Sequence, residues 1–428
     1  MTKIKVSSFL LVLMLCTSAF AQKTSFDKYS SEIEKLAKQK NIQNAFKQIL
    51  QLEPQTIKDH ILLNEIPAPN LLEAKKGLKF AELLKVAGAD SVWIDKVGNV
   101  IALRNGTKGK KVVVINAHID TVFPEGTDVT VKMKGDTLYA PGIGDNSRGL
   151  MILLTVLRAM EAADVKTESD ILFVGTVGEE GLGDLRGSKY IFNESDLQID
   201  SWISVDGESI GSIVNEALGS VRYRIVFEGP GGHSWGAFGY VNPIHALSAA
   251  IHYFDNDANE FTKSGPKTSY NVGRIGGGTS INSIPYNAWA EVDMRSESSK
   301  SLDAIETILL KATNKALLEQ NKMKRSGPDL TLQMIPVGKR PSGSIDPSVA
   351  LIQKAMAASR FFGEEPQLSI GSTDASIPIS RNIPAITIGR GGKGGANHSL
   401  GEWWINKDGY IAIQYALLVL VSEAGLSK

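Results

Sequence analysis

Two histidines and six carboxylates stand in five short segments of this 428-residue chain: His118-Ile119-Asp120, Asp145-Asn146, Glu179-Glu180, Asp206-Gly207-Glu208 and Asn397-His398-Ser399. Imidazole nitrogen and carboxylate oxygen are donors that zinc takes. With a single cysteine, Cys16, a thiolate zinc site is excluded, so any metal here must be held by His, Asp or Glu. Gathered in one place, these carboxylates would repel one another unless a cation sat among them. A pair of metal ions needs a carboxylate that bridges them. In His118-Ile119-Asp120, alternate strand residues face the same side. Asp120 is therefore expected to accept the second imidazole N–H of His118 and fix its tautomer. Glu179 and Glu180 point in different directions if extended, so one is able to bind metal while the other takes the proton of an attacking water.

Each residue taken alone has a plainer explanation. A histidine at a strand end is more often structural, Asp145 suits a helix cap, and adjacent glutamates are usually solvated. What outweighs those explanations is where the segments fall. Val112-Val113-Val114-Ile115, Ile171-Leu172-Phe173-Val174, Trp202-Ile203-Ser204-Val205 and Pro384-Ala385-Ile386-Thr387-Ile388 are continuous apolar runs, as expected of strands buried on both faces. Each runs into one of the polar clusters at its carboxyl end, where open α/β sheets place their sites. Asp145-Asn146-Ser147 offers caps for a helix carrying Leu150, Leu153, Leu154 and Leu157. Residues 26–90 read as helical, interrupted at Pro67-Ala68-Pro69. Strands alternating with helices predict an α/β domain with a largely parallel sheet.

Between the third and fourth strands the texture changes. Residues 221–227 alternate in polarity, a helix is expected over 243–254, strands over 269–275 and 287–295, a helix over 301–322 and a last strand over 330–335. That order is β-α-β-β-α-β, the split ferredoxin-like motif. Residues 215–338 thus read as a domain inserted into a first domain made of 22–214 and 339–428.

The chain carries 46 Lys+Arg against 46 Asp+Glu, without the basic surplus a nucleic-acid binder needs. Lys3 and Lys5 precede an apolar stretch from Phe9 to Leu15 and then Ala19-Phe20-Ala21, the pattern of a secretory signal peptide over residues 1–21. The apolar run is too short to span a bilayer, and Leu15 before Cys16 argues against lipidation. A secreted or periplasmic protein with no membrane span after cleavage is expected. Cleavage would remove the only cysteine, leaving no thiol in an oxidising compartment.

With these segments assembled, the chain resembles the M20 family of co-catalytic zinc metallopeptidases. The resemblance runs from about residue 40 to the C-terminus. It rests on His118-Ile119-Asp120-Thr121-Val122, Gly142-Ile143-Gly144-Asp145, Gly178-Glu179-Glu180-Gly181, Asp206, Gly231-Gly232-His233-Ser234 and His398-Ser399. It implies two zinc ions, with cobalt or manganese suited to the same ligands. His118, Asp145 and Asp206 would hold one metal, and Asp145, Glu180 and His398 the other. Glu179 would be the general base, and the bond after Asp145 is often cis. The inserted domain would mediate homodimerisation, and His233 would reach the partner's site to stabilise the oxyanion. Arg295 and Asn282 resemble the substrate-contacting pair, and Gly371-Ser372-Thr373-Asp374 a segment near the substrate. Asp206 replaces the Glu common in the carboxypeptidase and deacylase branches, which tilts the expectation toward an aminopeptidase or dipeptidase acting on short peptides.

Three other readings compete. An N-acyl-amino-acid hydrolase would use the same machinery on a different substrate. A non-catalytic binding protein should have lost ligands or base, and none is missing. Gly389-Arg390-Gly391-Gly392-Lys393-Gly394 matches a dinucleotide fingerprint after a strand, but the small-residue helix that would bind pyrophosphate does not follow it.

Overall fold

The computed structural model describes residues 28–109 and 111–427; the segment read as a signal peptide lies outside the described residues. The chain divides into two compact units, one reaching Glu216 and resuming at Ser344, the other Ala217–Gly343.

In the first unit the four apolar runs form adjacent strands at the centre of one sheet. Their order is Asp170–Thr176, Val112–His118, Ser201–Gly207, Ala385–Gly389. Each neighbouring pair is parallel. From Val113 to His118 every residue is buried, as a strand covered on both faces requires. Antiparallel strands Val100–Arg104 and Ser91–Ile94 extend the sheet beyond Asp170–Thr176. Helix Ser147–Ala162 packs on the Val112–His118 strand, and helix Gly409–Ala424 packs on both. Asn146 is the cap that forms, its side chain accepting from the Gly149 amide. The N-terminal region is several helices rather than one: residues 28–37, Lys40–Gln51, Glu53–Asn64 and Ala74–Val86. Among the described residues, no helix is long and apolar enough to cross a membrane.

A small antiparallel sheet of Lys132–Lys134, Thr137–Tyr139, Trp403–Ile405 and Lys393–Gly395 lies apart from the main one in the chain's pairing. Its pairing of Trp403 with Tyr139 brings the loops after residues 139 and 395 together.

The second unit has the expected βαββαβ order. Strands Gly219–Glu228, Thr268–Gly277, Asn287–Ser296 and Thr331–Arg340 are all antiparallel, in the order second, third, first, fourth. Alternating burial along Asn287–Ser296 gives the sheet one apolar face. Helices Pro243–Phe261 and Ser299–Met323 cover that face, with Phe227, Leu247, Phe254, Ile305 and Leu309 in the shared core. A two-stranded ribbon pairs Gly232–His233 with Ser283–Ile284.

Candidate metal centre and active site

The carboxyl ends of the central strands deliver His118, Glu179, Glu180 and Asp206 to one place, and two loops bring Asp145 and His398 to it. His118 Nε2 lies 3.1 Å from Asp145 Oδ1 and 3.6 Å from Asp206 Oδ1. His398 Nε2 lies 2.9 Å from Glu180 Oε1 and 3.4 Å from Asp145 Oδ2. Asp145 therefore offers one oxygen to each histidine. Within each triad, His118/Asp145/Asp206 and Asp145/Glu180/His398, the potential ligand atoms lie within 4.8 Å of one another. Imidazole nitrogen with carboxylate oxygen, in two sets sharing one carboxylate, fits a pair of zinc-like cations.

The electrostatics agree with that fit. Burial pulls the His118 imidazole down, yet Asp206, Asp145 and Asp120 together hold its pKa well above the ordinary value. Burial pushes Asp145 up, but Arg390, His118 and His398 hold it well below the usual carboxylate range. Hydrogen bonds donated to Asp145 and then to Glu180 push His398 up to about 10. Both imidazoles face a concentration of negative charge that draws in positive charge.

The expected partner of His118 needs correction. Its Nδ1 meets the backbone carbonyl of Asp120 at 3.0 Å, while the Asp120 carboxylate is 3.7 Å away. The carbonyl still fixes the tautomer, since it accepts the Nδ1 proton and leaves Nε2 as the ligand atom. The buried Asp120 carboxylate instead accepts from the amides of Glu179 at 3.0 Å and Glu180 at 2.9 Å. Glu179 is itself 5% exposed, and its carboxylate is grouped with those of Glu180 and the imidazole of His118. The peptide bond between Asp145 and Asn146 is cis.

Two contributors were not singled out as site residues in the sequence. Glu402, buried, accepts from the amides of Gly142, Gly144 and Asp145 at 2.8–2.9 Å, holding the loop that carries the shared ligand. Arg390, also buried, donates from Nη1 to Asp145 Oδ1 at 3.0 Å and Asp206 Oδ1 at 3.3 Å. Arg390 follows a buried strand, as Glu179 and Glu180 do; Glu402 carries no local signal. Asp374 ends the Gly371-Ser372-Thr373-Asp374 segment. It is buried beneath the site, accepting from Asn116 at 2.9 Å and Thr176 at 2.5 Å, and burial pushes it up to about 6. A cavity of about 550 Å³ adjoins the centre, lined by Gly144, Arg390 and Asn397 and walled by Glu208 and Trp403.

His233, Asn282 and Arg295 belong to the second unit. His233 is exposed, and its Nδ1 accepts from the amides of Trp235 at 3.2 Å and Gly236 at 3.3 Å. The proton therefore sits on Nε2, which is left as a donor. Asn282 is beside it, its carbonyl accepting from the Ser234 amide at 2.9 Å. Arg295 stands apart from Asn282 within this unit. Asn282 lies in the loop between Gly277 and Asn287, whereas Arg295 is at the far end of the Asn287–Ser296 strand, held by Asp293 at 2.8 Å. At about 3.3 Å per residue, the strand separates Arg295 from that loop by roughly 26 Å.

A parallel α/β sheet with two overlapping His/carboxylate triads at its strand ends, beside a buried glutamate, defines a metal-dependent hydrolase. The chain belongs to peptidase family M20/M25/M40, whose family model matches residues 114–421. Carboxypeptidase G2 of Pseudomonas sp. (strain RS-16) is 24% identical over 333 residues, 74% of each chain. A tripeptidase from Staphylococcus aureus has the same fold at 21% identity, with a TM-score of 0.70 over 87% of this chain and 99% of that one. A dinuclear metal-binding peptidase of the M20 family from Bacillus subtilis has it at 18% identity, with a TM-score of 0.63 over the same shares.

Proposed function

We propose that this protein is an exported di-metal peptidase that cleaves short peptides, as an aminopeptidase or dipeptidase. The observation that carries the reading is the sharing of Asp145 between the two triads. His118, Asp145 and Asp206 would hold one cation and Asp145, Glu180 and His398 the other; zinc suits these donors best, with cobalt or manganese next. When bound, the ions supply Lewis-acid polarisation of the scissile carbonyl and make water a stronger acid. Glu179 takes the proton of the attacking water and returns it to the leaving amine. Asp120 keeps Glu179 in place through its backbone amide. The Nε2 proton of His233 is available to the oxygen that gains charge. Arg295 suits a substrate carboxylate because its fork binds both oxygens, and Asn282 lies next to His233.

Asp206, in place of Glu, and the likeness to a tripeptidase support short peptides as substrates. Likeness to carboxypeptidase G2 supports a second reading, a carboxypeptidase or N-acyl-amino-acid hydrolase with the same machinery. Export is inferred from the pattern of residues 1–21. Peptide-library digestion read by mass spectrometry separates the readings, because loss of residues from the N-terminal end supports the first and loss from the C-terminal end the second. Glu179→Gln should lower kcat by at least about 10²-fold while zinc content is unchanged. Full activity in that variant would refute the role of Glu179.

A further inference from the structure

Arg390 is a buried cation placed directly against the metal-ligand set. Its Nη1 donates to Oδ1 of Asp145 and Oδ1 of Asp206, the same two oxygens that face His118 Nε2. Its position is fixed from both sides of the backbone. The Arg390 amide donates to the Gly207 carbonyl at 2.7 Å, and the Arg390 carbonyl accepts from Arg148 Nε at 3.2 Å. The other triad is built differently. Asp145 Oδ2, Glu180 Oε1 and His398 Nε2 meet one another, and Arg390 makes no hydrogen bond to any of those three atoms.

We infer that Arg390 makes the two halves of the centre unequal, so that the Asp145/Glu180/His398 set binds its cation first and more tightly, and the His118/Asp145/Asp206 set binds second. The inference rests on the two-metal reading proposed above. A dication entering between His118 and the two Oδ1 atoms meets the guanidinium as a like charge at short range. The guanidinium also neutralises part of the carboxylate charge that would attract the ion. Both effects weaken the same set. Arg390 opposes them only by holding the two carboxylates in place, and the backbone of the Asp145 loop is already held by Glu402. Arginine is suited to this role because it stays charged when buried.

The test uses the full chain, stripped by a chelator and titrated with zinc against a fluorescent zinc chelator. Wild type should take up two equivalents with affinities at least about tenfold apart. Arg390→Met should tighten the weaker class by about tenfold or more and leave the tighter one within about threefold, while Arg390→Lys keeps the separation. His398→Ala should abolish the tight class and His118→Ala the weak one. Should Arg390→Met fail to fold, the two histidine variants still decide the order of filling. Equal affinities in wild type, a weaker class unmoved by Arg390→Met, or loss of the tight class in His118→Ala would overturn the inference. Two-equivalent binding with any of those results leaves the metal centre standing and removes only the role of Arg390. No zinc uptake by wild type removes both.

Discussion

Asp120 acts through two backbone amides, and this sets what its replacement does. Both carboxylate oxygens are used, one on Glu179 and one on Glu180. Asparagine has the same shape but one acceptor, so one buried amide would face an NH₂ group. The turn that carries Glu179 should then shift while His118 keeps its carbonyl partner. Asp120→Asn should lower kcat by about 10- to 100-fold with zinc content retained; wild-type kcat would refute this reading of Asp120. His60 allows a second test at this scale, away from the reacting groups. It is fully buried, its Nε2 is 2.6 Å from the Ile143 carbonyl, and burial, followed by Arg148, lowers its pKa from 6.5 to about 3. The folded state thus keeps the ring neutral while the unfolded chain binds a proton below pH 6.5. The stability from the neutral ring is complete above pH 6.5 and is lost as pH falls toward 3, roughly 3 kcal/mol of it by pH 4. Urea unfolding of wild type and His60→Gln should show a difference that shrinks by about that amount from pH 7 to pH 4. A constant difference would mean that His60 takes up its proton in the fold at the same pH as in the unfolded chain.

At the level of elements, the parallel strands present His118, Glu179, Glu180 and Asp206, and a small sheet positions the loops that bring Asp145 and His398. Trp403 pairs with Tyr139, which sets the loop carrying His398 beside the loop carrying Asp145. Glu402 then ties them, its backbone carbonyl accepting from Ala140 at 3.1 Å and its side chain from three further amides. Glu402→Ala leaves those three amides without their acceptor. It should cost about 3 kcal/mol in chemical denaturation, since hydrogen bonds to charged groups are worth about 1.5–3 kcal/mol each and water replaces part of the loss. Because Asp145 serves both triads, zinc affinity should fall in both classes together. A loss confined to one class would show that Glu402 does not act through Asp145. These elements also show what the sequence could disclose. The four central strands and their terminal residues were legible because double-sided burial demands continuous apolar runs and the strand ends follow from them. Glu402 and Arg390 are 257 and 245 residues from Asp145 in the chain, and only the pairing of strands brings them to it. The His118–Asp120 spacing correctly put both residues on one side, but could not say that a carbonyl would take the imidazole proton. That Asn282 and Arg295 stand at opposite ends of a ten-residue strand was not legible from their spacing along the chain.

For the molecule as a whole, that strand bears on how many copies build one site. His233 and Asn282 share one end of the inserted sheet and Arg295 occupies the other, roughly 26 Å away along an extended strand. A short peptide is too small to touch both ends of one copy. If all three residues act on the same substrate, two copies of the chain must contribute, as in a two-fold homodimer. Subunit mixing tests this directly. His233→Ala and Arg295→Ala should each be nearly inactive as purified dimers, because every site lacks one contact. After the two are unfolded together and refolded, half of the dimers are mixed. Each mixed dimer has one site that receives His233 from one copy and Arg295 from the other, and one site that lacks both. The mixture should therefore recover about one quarter of wild-type activity. If His233 and Arg295 served a site from the same copy, every site in the mixed dimer would still lack one of them and nothing would be recovered. A monomer by light scattering, at concentrations where wild type is active, would remove the two-copy site altogether and require His233 or Arg295 to be dispensable, which the single variants would then show.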